Sequence, residues 1–136
     1  VRRGLPDPWL VGWSFGTDVI LRWGNVDPAV GAVLLSPPGR WSTDADVAGW
    51  VESRRPITAL VPELDEFASP ADVRQRFAGV PQAQIVGVEG AKHLWVGEKH
   101  VKRVLEAAAS STAVTKTSQT LADSDKTAPP QTKTTR

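Results

Sequence analysis

Short apolar runs alternate along this chain with longer helix-forming stretches, and this alternation restricts the fold more than any other feature. We predict strands at four apolar runs: Trp9–Trp13, Ala29–Leu35, Ile57–Val61 and Ala83–Val88. The helix-forming stretches that follow them are Phe15–Trp23, Trp41–Ser53, Ser69–Phe77 and Val96–Ala109. Four strand-helix pairs in succession predict an α/β fold, with a parallel sheet of about four strands and helices on its faces.

Local signals mark the ends of these helices. Ser42 or Thr43 is the expected N-cap of the second helix, because a side-chain oxygen there can accept a free backbone N–H. Ser69 is the expected cap of the third helix, with Pro70 at its first helical position. Pro56 ends the second helix because proline cannot continue it.

Composition excludes several classes of protein. The chain has 136 residues and a net charge of +1, which fits one domain and gives no charge footprint for nucleic acid. It has no cysteine and two histidines, so we expect no disulfide, no metal and no cofactor. No apolar run approaches the roughly 18 residues of a membrane span. No secretory signal is visible near Val1 either, and we expect a cytoplasmic protein.

The end of the chain differs from the rest. Residues 110–136 are rich in Ser and Thr, contain no aromatic residue, and have only Val114 and Leu121 as sizeable aliphatic residues. Such a segment cannot bury enough apolar surface to offset the entropy of ordering it. We therefore predict a folded domain over residues 1–109 and a disordered tail over residues 110–136.

Polar residues follow the predicted strands where each strand ends. Ser14 follows the first strand, Ser36 the second, and Asp65 and His93 lie just past the third and fourth. Because ligands bind beyond the carboxyl ends of the strands in open α/β sheets, we expect these side chains to lie at one site. A serine, an acid and a histidine are the residue types of a nucleophilic triad.

The segment Gly12–Gly16 has the pattern G-x-S-x-G between a predicted strand and a predicted helix. In that context the serine occupies a tight, strained turn, and its side-chain oxygen is exposed above the sheet. The Phe15 N–H, at the start of the helix, would point at a developing oxyanion. The alternative is an ordinary strand-to-helix turn in which Ser14 caps the helix.

The histidine and the acid have competitors. His100 lies in the last predicted helix beside lysines, where a solvated helix face explains it, so His93 is the preferred base. The acid is chosen among neighbours on one stretch of chain: Glu63, Asp65, Glu66 and Asp72. Asp72 suits compensation of a helix dipole. We favour Asp65 because the interval from Asp65 to His93 fits one helix and one strand.

With these residues the chain resembles the C-terminal half of an α/β-hydrolase-fold serine hydrolase, and is most similar to the dienelactone-hydrolase-like group. Three segments within Pro8–Ala109 carry the resemblance: Gly12–Gly16, Leu64–Pro70 and Gly90–His93. The resemblance implies that Ser14 is the nucleophile, His93 the base and Asp65 the orienting acid, acting on a small acyl or ester substrate. Dienelactone hydrolases proper have a cysteine nucleophile, which this chain lacks.

The resemblance also implies that the first half of the fold is missing from this sequence. In the family, strands precede the one that carries the nucleophile, and a loop among them supplies a second oxyanion N–H. We therefore expect Trp9–Trp13 to be an exposed edge strand that pairs with an N-terminal half or a second copy. We also expect Val11, Val33 and Leu35 to be partly uncovered.

Three functions fit this sequence, and the serine hydrolase is favoured. The second is a non-catalytic interaction module that pairs through Trp9–Trp13. The third is an acyltransferase on the same scaffold, in which an alcohol or amine replaces water. A fluorophosphonate, which labels only an activated serine, separates the first from the second. Products formed with added alcohol separate the first from the third.

Overall fold

The computed structural model describes the backbone of residues 6–125 and the side chains of residues 6–113. Strands and helices alternate as the sequence predicts. The strands are β1 (Trp9–Trp13), β2 (Gly31–Leu35), β3 (Ile57–Pro62) and β4 (Ala83–Val88). The helices are α1 (Phe15–Trp23), α2 (Asp44–Ser53), α3 (Pro70–Arg76) and α4 (Glu98–Asp125).

The four strands form one parallel sheet in the order β1-β2-β3-β4. Each strand therefore lies beside the one that precedes it in the sequence, and one helix connects each pair. The register places Val11 opposite Val33 and Leu35 opposite Leu60. The predicted α/β fold class is confirmed, and all four strands end at the same edge of the sheet.

Two apolar cores cover the two faces of this sheet. Helices α1, α2 and α3 pack on one face around Trp50, which is fully buried and donates its indole N–H to the Leu21 carbonyl at 3.0 Å. Among the described residues, α4 is the one helix on the other face, where Val104 and Ala107 contact a core that includes Val33 and Leu60. The predicted helices on both faces are present, but they are distributed three to one.

Helix α2 begins later than the sequence predicts. Thr43 is its N-cap, and Trp41 lies outside the helix. The Thr43 side chain accepts the Asp46 N–H while the Asp46 carboxylate accepts the Thr43 N–H, a reciprocal pair that fixes the first turn. Ser69 and Asp72 form the same pair at the start of α3. The cap of α3 is thus as predicted, and Thr43 rather than Ser42 caps α2.

Helix α4 continues to Asp125, so the predicted end at Ala109 is wrong. Beyond Ala109 the helix still contacts the sheet, because the Ser111 hydroxyl donates to the Thr58 hydroxyl at 2.9 Å. Residues 126–136 lie outside the described residues, and the disorder of the tail stays a prediction. No helix in the described part of the chain is long and apolar enough to cross a membrane.

Strand β1 lies at one edge of the sheet and, within residues 6–125, pairs only with β2. The Val11 side chain is 59% exposed and Trp13 is also exposed, as expected for an apolar strand at an edge. The expectation for Val33 is wrong. Val33 is only 1% exposed because the core beneath α4 covers it, and Leu35 is partly buried there.

Candidate active site

Ser14 occupies the turn between β1 and α1 in a strained conformation. Its φ of 52° and ψ of −121° lie in a region that a residue with a side chain rarely adopts. Three hydrogen bonds hold the backbone there: the Ser14 N–H donates to the Leu35 carbonyl at 2.9 Å, and the Ser14 carbonyl accepts the Thr17 N–H at 2.9 Å and the Thr17 hydroxyl at 2.7 Å. The Ser14 side chain makes no hydrogen bond to the helix, so the helix-cap alternative is not observed.

Gly12 lets helix α1 pass close to strand β1 at this turn. A Cβ at position 12 would lie 2.6 Å from the Ile20 side chain and 2.9 Å from the Gly16 backbone, closer than real Cβ atoms come. A Cβ at Gly16 would meet nothing within 4 Å. The two glycines of the motif are therefore not equivalent in the described structure, because only Gly12 is required by close packing.

His93 links the serine to an acid through two hydrogen bonds. Its Nε2 lies 2.8 Å from the Ser14 Oγ, and its Nδ1 lies 2.8 Å from the Asp65 Oδ2. A carboxylate can only accept, so Nδ1 carries the proton and Nε2 is left to accept the serine hydroxyl. The structure thus brings together the serine, histidine and acid that the sequence analysis selected.

The Asp65 carboxylate is held on both of its oxygens. Oδ1 accepts the Phe67 N–H at 2.8 Å while Oδ2 bonds to His93. The side chains of Asp65 and His93 are 2% and 11% exposed. Little water reaches this pair, and in such surroundings a hydrogen bond is stronger and an unpaired charge is more costly than in water.

The competing acids and the second histidine have other partners. The Glu63 carboxylate accepts the Gly90 N–H at 2.8 Å and so joins the loop after β3 to the loop after β4. Asp72 belongs to the cap of α3. Glu66 is exposed, and His100 Nδ1 lies 3.1 Å from the Val96 carbonyl at the start of α4.

Aromatic residues surround the imidazole, which the sequence analysis did not foresee. The Phe67 ring centroid lies 4.6 Å from that of His93. The Arg40 guanidinium lies over the Phe67 ring, 4.9 Å from its centroid. Trp13 contacts His93 as well, at 5.7 Å between centroids. These contacts join loops that are distant in the sequence, so periodicity and motif spacing carry no signal for them.

A buried acid in α1 fixes the loop that carries Arg40. Asp18 accepts the backbone N–H of Ser42 at 3.0 Å and also its hydroxyl, and Arg76 of α3 donates to the Ser42 carbonyl at 2.8 Å. The same loop places Trp41 edge-on against Phe15, with ring centroids 5.0 Å apart. These hydrogen bonds and the ring contact fix the position of the loop after β2 beside the turn that carries Ser14.

An apolar groove of about 240 Å³ lies next to this site on the α4 side of the sheet. Trp13 is common to both, because its ring lines the groove and its indole N–H donates to the His93 carbonyl at 3.0 Å. The other lining residues are Leu35, Leu94, Trp95, Val101, Val104 and Leu105. Within residues 6–125 no cluster of three or more His, Asp or Glu side chains could hold a metal ion.

Comparison with known proteins bears on the fold. No protein-family model matches this sequence, and no curated protein matches it. A similar solved structure is described as an alpha-beta serine hydrolase homologue from Coxiella burnetii, with a TM-score of 0.56 at 20% sequence identity. The chain has part of an α/β-hydrolase fold. The likeness covers 74% of this chain and 45% of the other, so the chain spans under half of the similar structure.

This α/β-hydrolase likeness confirms the predicted fold class and the fold-level resemblance. At 20% identity it concerns the arrangement of strands and helices and not the chemistry. The narrower resemblance to the dienelactone-hydrolase-like group stays a prediction. So do the catalytic roles of Ser14, Phe15, Asp65 and His93.

Proposed function

We propose that this chain carries the nucleophile, base and acid of a serine hydrolase that cleaves an ester or a similar acyl substrate. One observation carries the proposal. Asp65, His93 and Ser14 form a continuous chain of hydrogen bonds, 2.8 Å at each step, on a serine whose hydroxyl does not cap its own helix. That arrangement matches what an activated serine nucleophile requires.

The proposed reaction begins at the serine hydroxyl. His93 Nε2 takes the Ser14 proton as Oγ forms a bond to the acyl carbon. The carbonyl π bond breaks, and its electron pair becomes an oxyanion. The Phe15 N–H, free because the first residue of a helix has no acceptor inside it, donates to that oxyanion.

The second step returns the proton. The oxyanion re-forms the carbonyl, the bond to the leaving alcohol breaks, and the protonated His93 gives its Nε2 proton to the leaving oxygen. Asp65 stabilises the imidazolium throughout, because its buried carboxylate lies 2.8 Å from Nδ1. Water then attacks the acyl-enzyme by the same route, and Ser14 is regenerated.

Turnover by this chain alone is expected to be slow. The α/β-hydrolase mechanism uses a second oxyanion N–H from a part of the fold that precedes the nucleophile strand. Losing one such donor costs on the order of 100-fold to 1,000-fold in rate. Acylation of the serine is therefore a better readout than steady-state hydrolysis.

The test is a burst experiment with a p-nitrophenyl ester. We expect up to one equivalent of nitrophenol to be released, a matching acyl adduct on the Ser14 peptide, and turnover near background afterwards. Ser14→Ala should abolish the burst and the adduct. Ser53→Ala is the matched control, because Ser53 donates to the Trp50 carbonyl far from the site. A burst that survives Ser14→Ala would refute the proposal.

A second candidate function is strand pairing at the β1 edge. The backbone groups of β1 that have no partner strand within residues 6–125 favour it, as do the exposed side chains of Val11 and Trp13, since unprotected apolar edges pair with other strands. The partner we favour is a further strand of an α/β-hydrolase fold, because the similar structure is more than twice the length that this chain matches. The two functions are compatible, since a completed sheet would also place the missing oxyanion donor.

A further inference from the structure

The end of β2 carries a serine with a role that the proposed mechanism does not use. Ser36 lies between the strand ends that lead to Ser14 and to Asp65, and it is 1% exposed. Its φ is 50°, a left-handed conformation that is costly for a residue with a side chain. Its backbone N–H donates to the Leu60 carbonyl at 3.0 Å.

The Ser36 hydroxyl makes two buried hydrogen bonds. The Trp95 indole nitrogen lies 2.8 Å from the Ser36 Oγ, and that Oγ lies 3.2 Å from the His93 carbonyl oxygen. An indole N–H can only donate, so Ser36 accepts from Trp95. The single hydroxyl proton is then left for the His93 carbonyl, which can only accept.

The same carbonyl accepts a second donor. The Trp13 indole N–H donates to it at 3.0 Å, from the residue that precedes Ser14. The His93 carbonyl is therefore hydrogen-bonded to Trp13 at the end of β1 and to Ser36 after β2. The imidazole Nδ1 of His93 is hydrogen-bonded to Asp65, which follows β3. Trp95, the residue that donates to Ser36, also has a strained backbone, with a φ of 52°. Strained residues persist where surrounding bonds over-determine them.

We propose that Ser36 is a positioning residue for the His93 imidazole. Its hydroxyl fixes the position of the His93 peptide so that Nε2 reaches the Ser14 Oγ and Nδ1 reaches the Asp65 carboxylate within hydrogen-bond distance. Ser36 touches no reacting atom and acts only through His93. This inference rests on the proposed hydrolase, because the benefit of a fixed imidazole is a faster proton transfer from Ser14. Small misplacements of reacting groups cost about 100-fold in rate.

The competing explanation is that Ser36 only satisfies the buried Trp95 N–H. Ser36→Ala would then act by leaving an unpaired donor, which is costly in a buried position. Trp95→Phe removes that donor, so the double variant contains no unpaired N–H. A cycle of four proteins separates the two explanations: the wild type, Ser36→Ala, Trp95→Phe and the double variant.

The first readout is the rate at which a fluorophosphonate labels Ser14. We expect Ser36→Ala to slow labelling about 10-fold to 100-fold both with tryptophan at position 95 and in the Trp95→Phe background. Ser53→Ala should label at the wild-type rate. Normal labelling in the double variant, with slow labelling in Ser36→Ala alone, would overturn the proposal in favour of a structural role.

The second readout is the low-field NMR resonance of the His93 Nδ1–H in the intact chain, which needs no catalytic activity. We expect it in the wild type and in Trp95→Phe, and expect it broadened by exchange in both proteins that lack the Ser36 hydroxyl. A resonance that persists in the double variant, or is absent from the wild type, overturns the positioning role. If the wild type has the resonance but is not labelled, the hydrolase proposal fails, and the effect of Ser36→Ala on the resonance still decides the positioning role.

Discussion

Two acids on the loop after β3 illustrate how single residues define this site. Glu63 and Asp65 are near neighbours, yet Glu63 bonds to the Gly90 N–H whereas Asp65 bonds to the His93 imidazole. The Phe67 N–H donates to the second oxygen of Asp65 at 2.8 Å, and this bond holds the Asp65 carboxylate in its orientation toward the His93 imidazole. Glu63 instead supports the loop that carries the histidine.

The first prediction compares these two acids. Asp65→Asn should slow fluorophosphonate labelling of Ser14 by roughly 10,000-fold, because an amide favours the wrong imidazole tautomer. Glu63→Gln should retain most of the rate, since an amide oxygen can still accept the Gly90 N–H. Labelling rates from intact mass spectra check both. Near-normal labelling of Asp65→Asn together with a large loss in Glu63→Gln would transfer the role to Glu63.

The second prediction concerns the two glycines that flank Ser14. Gly12→Ala should lower the melting temperature by several degrees, because the new methyl group would overlap Ile20 and the Gly16 backbone, at a cost of roughly 1–3 kcal/mol. Gly16→Ala should be neutral or stabilising by up to about 1 kcal/mol, since it adds a helix former in open space. Thermal unfolding of both variants is the measurement. Equal effects would show that the close packing of α1 on β1 is not what selects glycine.

The sequence predicted that Ser14, Asp65 and His93 lie at one site because parallel strands bring their carboxyl ends to one edge, and the His93 side chain is within hydrogen-bond distance of the other two. The contacts of Phe67 and Trp95 were not predictable in this way. Both depend on how irregular loops fold back, and Trp95 does so through a positive φ that no motif marks. Ser36 was noted at its strand end, but its partners come from side chains at distant positions.

At the scale of elements, capping explains where α2 and α3 begin. Each helix is preceded by a hydroxyl residue that bonds to an aspartate in the first turn of the helix. The Ser69 backbone N–H donates to Asp72 and holds the pKa of that carboxyl below its usual range. The Thr43 N–H lowers the pKa of Asp46 in the same way.

The third prediction follows from the sign of these shifts. A carboxyl with a lowered pKa in the folded state stabilises the fold above its unfolded pKa of about 3.9, and this contribution is lost as the pH falls through the folded pKa. Asp72→Ala should therefore melt below the wild type at pH 7, and the gap should narrow as the pH falls below about 4. Melting curves against pH measure this, with the exposed Glu52→Ala as control. A gap that does not change with pH would contradict the role of the charge.

The ends of elements were predicted less well than their order. Helix α2 begins at Asp44 rather than at Trp41, because the reciprocal bond between Thr43 and Asp46 requires Thr43 to be extended, just before the first turn. Strand β2 begins at Gly31 instead of Ala29, whose carbonyl accepts the Arg55 guanidinium at 2.6 Å. Helix α4 extends past Ala109 over a segment whose composition is poor in apolar residues. Such ends depend on tertiary partners.

At the scale of the whole molecule, the sheet is covered unevenly. Three helices cover one face and one covers the other, while β1 leaves its outer edge unpaired in the described residues. Val11 lies on the same face of the sheet as its neighbour Val33, but α4 does not cover it, and its side chain is 59% exposed. A molecule with this surface is expected to associate through β1.

The fourth prediction tests that association. The purified chain should sediment as dimers or larger species, and Val11→Lys should shift it toward monomer, because a charged edge strand resists pairing. Val26→Lys is the matched control, since Val26 is equally exposed, at 60%, in the loop between α1 and β2. A wild-type monomer, or an equal shift from both lysines, would contradict pairing through β1.

The proposed hydrolase requires that His93 and Asp65 activate Ser14 within this chain. The most direct measurement is mass spectrometry of the intact chain after incubation with a fluorophosphonate, followed by mapping of the modified peptide. We expect one adduct, located on Ser14 and absent in His93→Ala, while Ser36, Ser42 and Ser53 stay unmodified. No adduct on the folded wild type, or an adduct on another serine, would contradict it.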